Sequence, residues 1–266
     1  MSQPAASPFE LTILMPVRNE GINLRIMLKM LRVIVEVPYE VIIVHDTPDD
    51  DSLGVLPEVP PDQPVHAVHN MLGPGVVNAI RAGVLAAQGR YVLIFAADEV
   101  GPVLAIGDML ALMNSGCEFV SCTRYSHGGR RLGGSLIGGV LSRIANKAFH
   151  WMAGSLLSDC TTGIKMFRRD QFARLHLESR PIGWAVAFEM AIKAQMLGFV
   201  LGEVPIISID RLYGGKSTFR LGPWTAEYFR WFLWGLTALR NAPAVSRAVS
   251  VRIPSATAAL GGKAQM

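Results

Sequence analysis

Charged side chains stand directly behind the apolar runs of this chain. The run VIIV at residues 41–44 is followed at once by HDTPDDDS. Such a short apolar, β-branched run reads as a strand buried on both faces, and the acids behind it cannot share that burial. They sit where the strand emerges, at the edge where open parallel sheets bind ligands. Asp46 and Asp50 are therefore expected to face a ligand; a solvated acidic turn is the alternative. Glu20 follows LTILMP, Asp98 and Glu99 follow YVLIF, and Arg124 follows EFVSC. One exposed acid after a strand is unremarkable, but four polar ends (Glu20, Asp46, Asp98 and Arg124) converging on one sheet edge point to a site. Gly73-Pro74-Gly75 opens a helical stretch, and such a turn can offer backbone N–H groups to a phosphate, although most turns of this kind are only turns.

The elements that must hold these residues follow from periodicity. Residues 11–16 and 39–44 read as strands around a helix over 22–35, a βαβ opening with a right-handed crossover. Residues 52–64, rich in Pro and Asp, read as a loop, and 65–68 as an edge strand. A helix over 76–89 stops at Gly89, and 91–95 and 118–122 are further strands. The glycine-rich stretch 126–139, carrying Arg130 and Arg131, reads as a mobile loop. Residues 140–152 form an amphipathic helix with Val140, Ile144, Ala148 and Trp151 on one face and Arg143, Asn146, Lys147 and His150 opposite. Packing on the protein's own core is the ordinary use of such a face; a membrane surface is the other.

Residues 159–169 mix a polar turn with a strand-like end, 184–197 form a helix containing Glu189, and 200–209 form a strand running into DRLYGGKS. Residues 223–240 gather Trp224, Tyr228, Phe229, Trp231, Phe232 and Trp234 in one helix. Its apolar core between Arg230 and Arg240 is nine residues, too short to span a membrane. Aromatics beside arginine suit a helix lying among lipid headgroups. Core packing and a homo-oligomer interface are the alternatives. Residues 242–266 are small, rich in Ala, Ser and Gly, and read as a flexible tail.

Half of the residues are apolar, enough for a substantial core, and no apolar run reaches the roughly 18 residues of a membrane span. The first residues, MSQPAASPFE, lack the basic and apolar regions of a secretory signal, so the catalytic face is expected in the cytoplasm. Net charge is +4 without a dense Lys/Arg block, which argues against nucleic acid as a partner. Cys117, Cys122 and Cys160 lack metal-ligand spacing and read as reduced thiols filling space.

LTILMPVRNEGINL, EVIIVHDTPDDDS, GPGVVNAIRAGVLAAQGRYVLIFAADE, SCTRY, LSRIANKAF, DCTTGIKMFRR, AFEMAIKAQMLGFVLGEVPI and DRLYGGKS occur in the order seen in family 2 glycosyltransferases. The chain most resembles the branch of dolichol-phosphate mannosyltransferases and bacterial polyprenyl-phosphate glycosyltransferases, over roughly residues 10–220. The resemblance implies an α/β GT-A fold, the fold of nucleotide-diphospho-sugar transferases, with a mostly parallel central sheet flanked by helices. That domain would occupy residues 1–220, followed by the amphipathic aromatic helix 221–241 and the tail 242–266. It implies a GDP- or UDP-linked sugar donor, a polyprenyl phosphate acceptor, and Mg2+ or Mn2+ on the diphosphate. The enzyme would lie peripherally on the cytoplasmic face of a membrane.

By the same resemblance, Pro16, Arg18 and Glu20 line the nucleoside pocket, joined by Asp46, Asp50 and Gly75. Asp98 matches the last Asp of the DxD metal motif, with Glu99 beside it. Arg124 matches an arginine that meets phosphate, and Ser142 the acceptor-loop serine. Arg211 and Lys216 match basic residues that close over a phosphate. Three positions depart from the pattern. Ala96 replaces the first acid of DxD, and His45 replaces the first acid of the paired Asp motif. Gly138 stands where an arginine is expected four residues before Ser142, with Arg130 or Arg131 available from the loop.

The chemistry is coherent on its own terms. A divalent cation on a diphosphate neutralises the leaving group, and carboxylates are its natural ligands. A phosphate acceptor is already ionised and needs no general base, whereas Arg and Lys must hold two anions together. Attack from the far side of the sugar inverts its anomeric centre. A transferase acting on a glycan hydroxyl would need a base, for which Glu189 is the candidate. A non-catalytic nucleotide-sugar binder is the third reading.

Overall fold

The structure is a computed structural model that describes residues 7–133, 136–209, 221–242 and 248–254. The chain runs β1 (Leu11–Pro16), α1 (Gly21–Ile34), β2 (Tyr39–His45), a 3-10 helix (Asp51–Glu58), β3 (Val65–His69), α2 (Val76–Ala86) and β4 (Tyr91–Ile94). A second 3-10 helix (Gly101–Ala105) leads to α3 (Ile106–Asn114), β5 (Phe119–Thr123), β6 (Arg130–Leu132), α4 (Leu136–Ala153) and β7 (Lys165–Arg168). After a third 3-10 helix (Arg169–Leu175) come α5 (Ala185–Met196), β8 (Leu201–Pro205), β9 (Ile207–Ile209), α6 (Leu221–Asn241) and β10 (Ser250–Val251).

The main sheet has the order β10-β8-β5-β7-β4-β1-β2-β3. Only β7 runs antiparallel to its neighbours, β4 and β5. The central strands are buried on both faces, and alternate residues feed two cores. Ile13, Met15, Val41, Ile43, Leu93 and Phe95 join the core beneath α1 and α3. Leu14, Ile42, Val44, Ile94 and Phe119 join the core beneath α2, α4, α5 and α6. The carboxyl ends of β1, β2, β4 and β5 thus share one edge, as the four polar ends require.

Several elements differ from expectation. The stretch 126–139 is not one loop: it contains β6 and the first turn of α4. The strand expected over 200–209 breaks after Pro205. Ile206 N–H donates to Thr123 O, Ile206 O accepts from Arg130 N, and β9 then pairs with β6 in a separate two-stranded sheet. Within the tail, Ser250 and Val251 pair with Gly202 and Glu203 of β8.

The two amphipathic helices also exchange roles. In α4 the inward residues are Asn146, Phe149 and Ala153, while Val140, Leu141 and Ile144 are exposed and Trp151 is 85% exposed. In α6 the aromatics turn inward: Trp231 is 2% exposed, Phe232 meets Phe149 at 5.4 Å and Tyr228 meets Phe188 at 6.5 Å. Core packing is therefore the main use of α6, although Phe229 and Leu233 stay exposed. No helix among the described residues is long and apolar enough to cross a membrane.

Candidate functional site

One half of the edge is built by the acids behind β2. Asp50 turns inward and is buried. Its two oxygens accept from Asn19 N at 3.1 Å, and Oδ1 also accepts from Ser52 N at 2.9 Å. The adjoining Asp51 accepts from Gly21 N, and Ser52 Oγ accepts from Glu20 N. Backbone N–H groups leading into α1 need acceptors, and this acidic turn supplies them. Asp50 therefore shapes the 17–21 loop that presents Arg18 and Glu20. Arg18 is exposed, Pro16 is half-buried, and Glu20 accepts from Asn23 Nδ2 at 2.7 Å.

Asp46 is half-buried at the strand end. Its oxygens accept from Asn70 Nδ2 at 2.8 Å and Gly75 N at 3.0 Å, tying β2 to the turn before α2. Gly75 adopts φ +114°, open to glycine at little cost, and a Cβ there would lie 2.6 Å from Pro181. The Gly75 amide, expected to be open to a phosphate, donates to Asp46, and Pro181 packs against the Gly75 α-carbon. His45, the departure from the paired-acid pattern, donates from Nδ1 to Thr47 O at 2.8 Å and stacks on His69 with centroids 5.2 Å apart.

The turn after β4 carries Asp98 and Glu99, both half-buried. Glu99 Oε2 accepts from Ser208 Oγ of β9 at 3.3 Å. Gly101 brings β9 close, since a Cβ there would fall 1.7 Å from Ile207 O. No group of three His, Cys, Asp or Glu among the described residues could hold a metal ion. Hard carboxylate oxygens on one turn nevertheless fit Mg2+ or Mn2+ when substrate phosphates and water complete the shell. Asp210, Arg211 and Lys216 lie outside the described residues.

The other half of the edge centres on Asp159, which the sequence reading left inside a polar turn. Asp159 is fully buried. It accepts from Arg124 Nε at 2.7 Å, Arg124 Nη2 at 3.0 Å, Asn146 Nδ2 at 3.3 Å, and Thr161 N and Thr162 N at 3.2 Å. Burial pushes the Asp159 carboxyl up, but the Arg124 guanidinium beside it overrides this and holds it below the usual carboxylate range. Arg124, its side chain 12% exposed, also donates to Thr161 Oγ1 at 3.0 Å, and Ser142 Oγ lies 3.0 Å from the same oxygen. Arg124, Thr161 and Ser142 thus form one cluster. Arg131 Nη1 lies 3.4 Å from where a Cβ of Gly139 would sit, so β6 brings a guanidinium to the α4 turn preceding Ser142.

Glu189, the candidate base, is fully buried. It accepts from Ser179 N at 2.8 Å and from Glu178 N, and pairs with Lys193 at 2.8 Å. That geometry closes the 178–183 loop and offers nothing to a substrate hydroxyl. Lys165 and Glu203 were also missed, although a charge in mid-strand was a signal that its partners must be sought.

The glycosyl transferase family 2 model matches residues 12–175. A dolichyl-phosphate hexose transferase from Haloferax volcanii is 30% identical over 132 residues, covering 48% of this chain and 54% of that protein. The match thus spans about half of that relative's length. A polyprenol monophosphomannose synthase from Mycolicibacterium smegmatis is 27% identical over 217 residues, covering 76% and 78%. Among solved structures, glucosyl-3-phosphoglycerate synthase from Mycobacterium tuberculosis, in complex with Mn2+, uridine-diphosphate and glucosyl-3-phosphoglycerate, superposes with a TM-score of 0.66 at 15% identity over 89% of this chain and 86% of that one. A complex of the same enzyme with Mg2+ and uridine-diphosphate gives 0.64 at 16% over 86% and 80%. With the family model matching more than half of its length, and a mostly parallel sheet flanked by helices, the chain belongs to glycosyl transferase family 2 and is a glycosyltransferase of the GT-A fold.

Proposed function

We propose that this enzyme moves a sugar from a nucleotide-sugar donor to a polyprenyl phosphate at a membrane surface, with inversion. The observation that carries the reading is α4. Its inner side places Ser142 in the cluster with Thr161 and Arg124, while its outer side exposes Val140, Leu141, Ile144 and Trp151 next to Arg143 and Lys147. An anion grip and an apolar, basic-flanked surface on one helix suit a lipid whose phosphate must be held at the bilayer face. The named relatives act on dolichyl phosphate or form a polyprenol monophosphate sugar, which supports the same class.

In this reading Asp98 and Glu99 would hold a divalent cation together with the donor diphosphate. When bound, that cation stabilises charge on the leaving nucleoside diphosphate. Pro16, Arg18 and Glu20 border the nucleoside, and Asp46 fixes the turn beside it. Arg124, Arg131 and Ser142 hold the acceptor phosphate so that one oxygen faces the anomeric carbon opposite the leaving group. By the resemblance, Arg211 and Lys216 would supply further positive charge to the two anions. The oxygen that attacks is already ionised, consistent with the burial of Glu189. The cytoplasmic membrane face is the side proposed for catalysis.

Incubation with UDP- or GDP-sugars, Mn2+ and a short polyprenyl phosphate in anionic vesicles tests the proposal. The expected product is a lipid-linked sugar phosphate. Transfer to a glycan hydroxyl with no lipid product would overturn the acceptor assignment. Glu189→Gln provides a second check. A lost general base costs roughly 100- to 10,000-fold. Turnover of the folded variant is expected to fall less than about tenfold, with the damage appearing as about 1–3 kcal/mol of lost stability in denaturant unfolding.

A further inference from the structure

Parallel pairing sets Glu203 of β8 opposite Ser121 of β5, and β7 sets Lys165 opposite Ser121 from the other side. Lys165 Nζ donates to Ser121 Oγ at 3.0 Å. These side chains form a buried polar row on the sheet face that elsewhere packs Phe119, Phe167 and Leu201. A carboxylate 2% exposed in such a row persists only if its oxygens are filled.

They are filled from the turn that carries Asp159. Glu203 Oε1 accepts from Ser158 N at 2.8 Å and Asp159 N at 3.3 Å, and Oε2 accepts from Ser158 Oγ at 2.9 Å. Ser158 Oγ also lies 2.7 Å from Thr123 Oγ1, one residue before Arg124. On the outer side, His127 Nε2 stands 3.8 Å from Glu203 Oε2. His127 is held there at φ +54°, a backbone region uncommon for a residue with a side chain, in a turn closed by Gly129 N–H donating to Ser126 O.

We propose that Glu203 is a positioning residue for transfer: its ionised carboxylate holds the Ser158–Asp159 turn, and through Asp159 the orientation of Arg124. The inference rests on reading Arg124 as a phosphate grip. A protonated carboxyl loses an acceptor oxygen and the charge that strengthens these bonds. Burial pushes the Glu203 carboxyl up to about 7, so the loss falls in the neutral range. Protonation removes the hold as pH falls, and turnover falls with it. The titratable and charged groups around Glu203 are His127 of the turn, Asp159 and Cys160 of the facing loop, Cys122 and Arg124 at the end of β5, and Lys165 across Ser121. Asp159 opposes ionisation of Glu203.

The test is the pH dependence of kcat and of the acceptor KM, with a short polyprenyl phosphate in vesicles and saturating donor. The wild type is expected to show an acid limb near neutrality. Glu203→Gln is expected to lower kcat roughly tenfold and to remove that limb, with nucleoside diphosphate affinity unchanged. Ser158→Ala, which removes the hydroxyl that donates to Glu203 Oε2 and favours the ionised form, is expected to move the limb up. A limb retained in Glu203→Gln overturns the proposal, and so does an unmoved limb in Ser158→Ala, which keeps the test decisive if the first variant fails to fold. Arg124→Lys separates the two readings. An unchanged acceptor KM in that variant overturns the grip assigned to Arg124, whereas a raised KM beside a retained limb in Glu203→Gln overturns the role of Glu203 alone.

Discussion

Asp98→Ala is expected to abolish the Mn2+ dependence of nucleoside diphosphate binding and to lower turnover by about 1,000-fold. The usual first acid of the metal motif is Ala96 here, and Glu99 already accepts from Ser208. A cation held by so few protein carboxylates, with phosphates and water completing its shell, depends heavily on Asp98. Calorimetric titration of UDP and GDP with and without Mn2+ reads this directly. Wild-type protein should show metal-dependent binding of one nucleotide, and the variant should bind equally with and without metal. A metal dependence unchanged in Asp98→Ala removes the residue from the metal site. Glu99→Ala provides the comparison, since loss confined to that variant would move the metal one residue along the turn.

The second large effect is expected at Asp159. Replacement by Ala leaves Arg124, Asn146 Nδ2 and the amides of Thr161 and Thr162 without their buried acceptor. An uncompensated charge at such depth costs about 3–5 kcal/mol, or a fall in Tm of roughly 10 °C for a domain of this size. The sign of its pH dependence follows from the depressed carboxyl. Because Asp159 titrates below its unfolded value in the folded protein, its stabilisation is intact above that unfolded value and is lost as pH falls through the folded one. Asp159→Ala should therefore flatten the acid side of the stability profile. Thermal unfolding at several pH values reads both effects. A Tm within about 2 °C of wild type would show that Arg124 finds another partner and that the pair is not a structural pivot.

These expectations rest unequally on sequence and tertiary structure. The strands and helices of the first hundred residues were legible because local patterning decides them: LTILMP and VIIV have no stable place except a doubly covered sheet, and the acids behind them must leave it. The family order of motifs likewise singled out Arg124 and Ser142, which meet at Thr161 Oγ1. Side-chain direction was not legible in the same way. Asp46 and Asp50 look alike in sequence, yet Asp50 is buried under backbone amides from a loop 31 residues earlier. The Gly75 turn reads as an open amide in sequence, yet its N–H donates to Asp46, and Pro181, more than a hundred residues later, packs against its α-carbon.

The same division explains the helices. Periodicity found the apolar stripe of α4 and the aromatic wealth of α6, but an amphipathic face records only that something apolar must cover it. The packing of α5 and α4 against α6 buried Trp231 and left Trp151 outside. By itself, the sequence determined the sheet, its polar edge and the family, because each is written in short-range pattern and motif order. The tertiary structure decided which charges face one another, as in Arg124 with Asp159 and Glu203 beneath Ser158. Those partners lie 35 and 45 residues apart, and burial rather than sequence spacing compels them to meet.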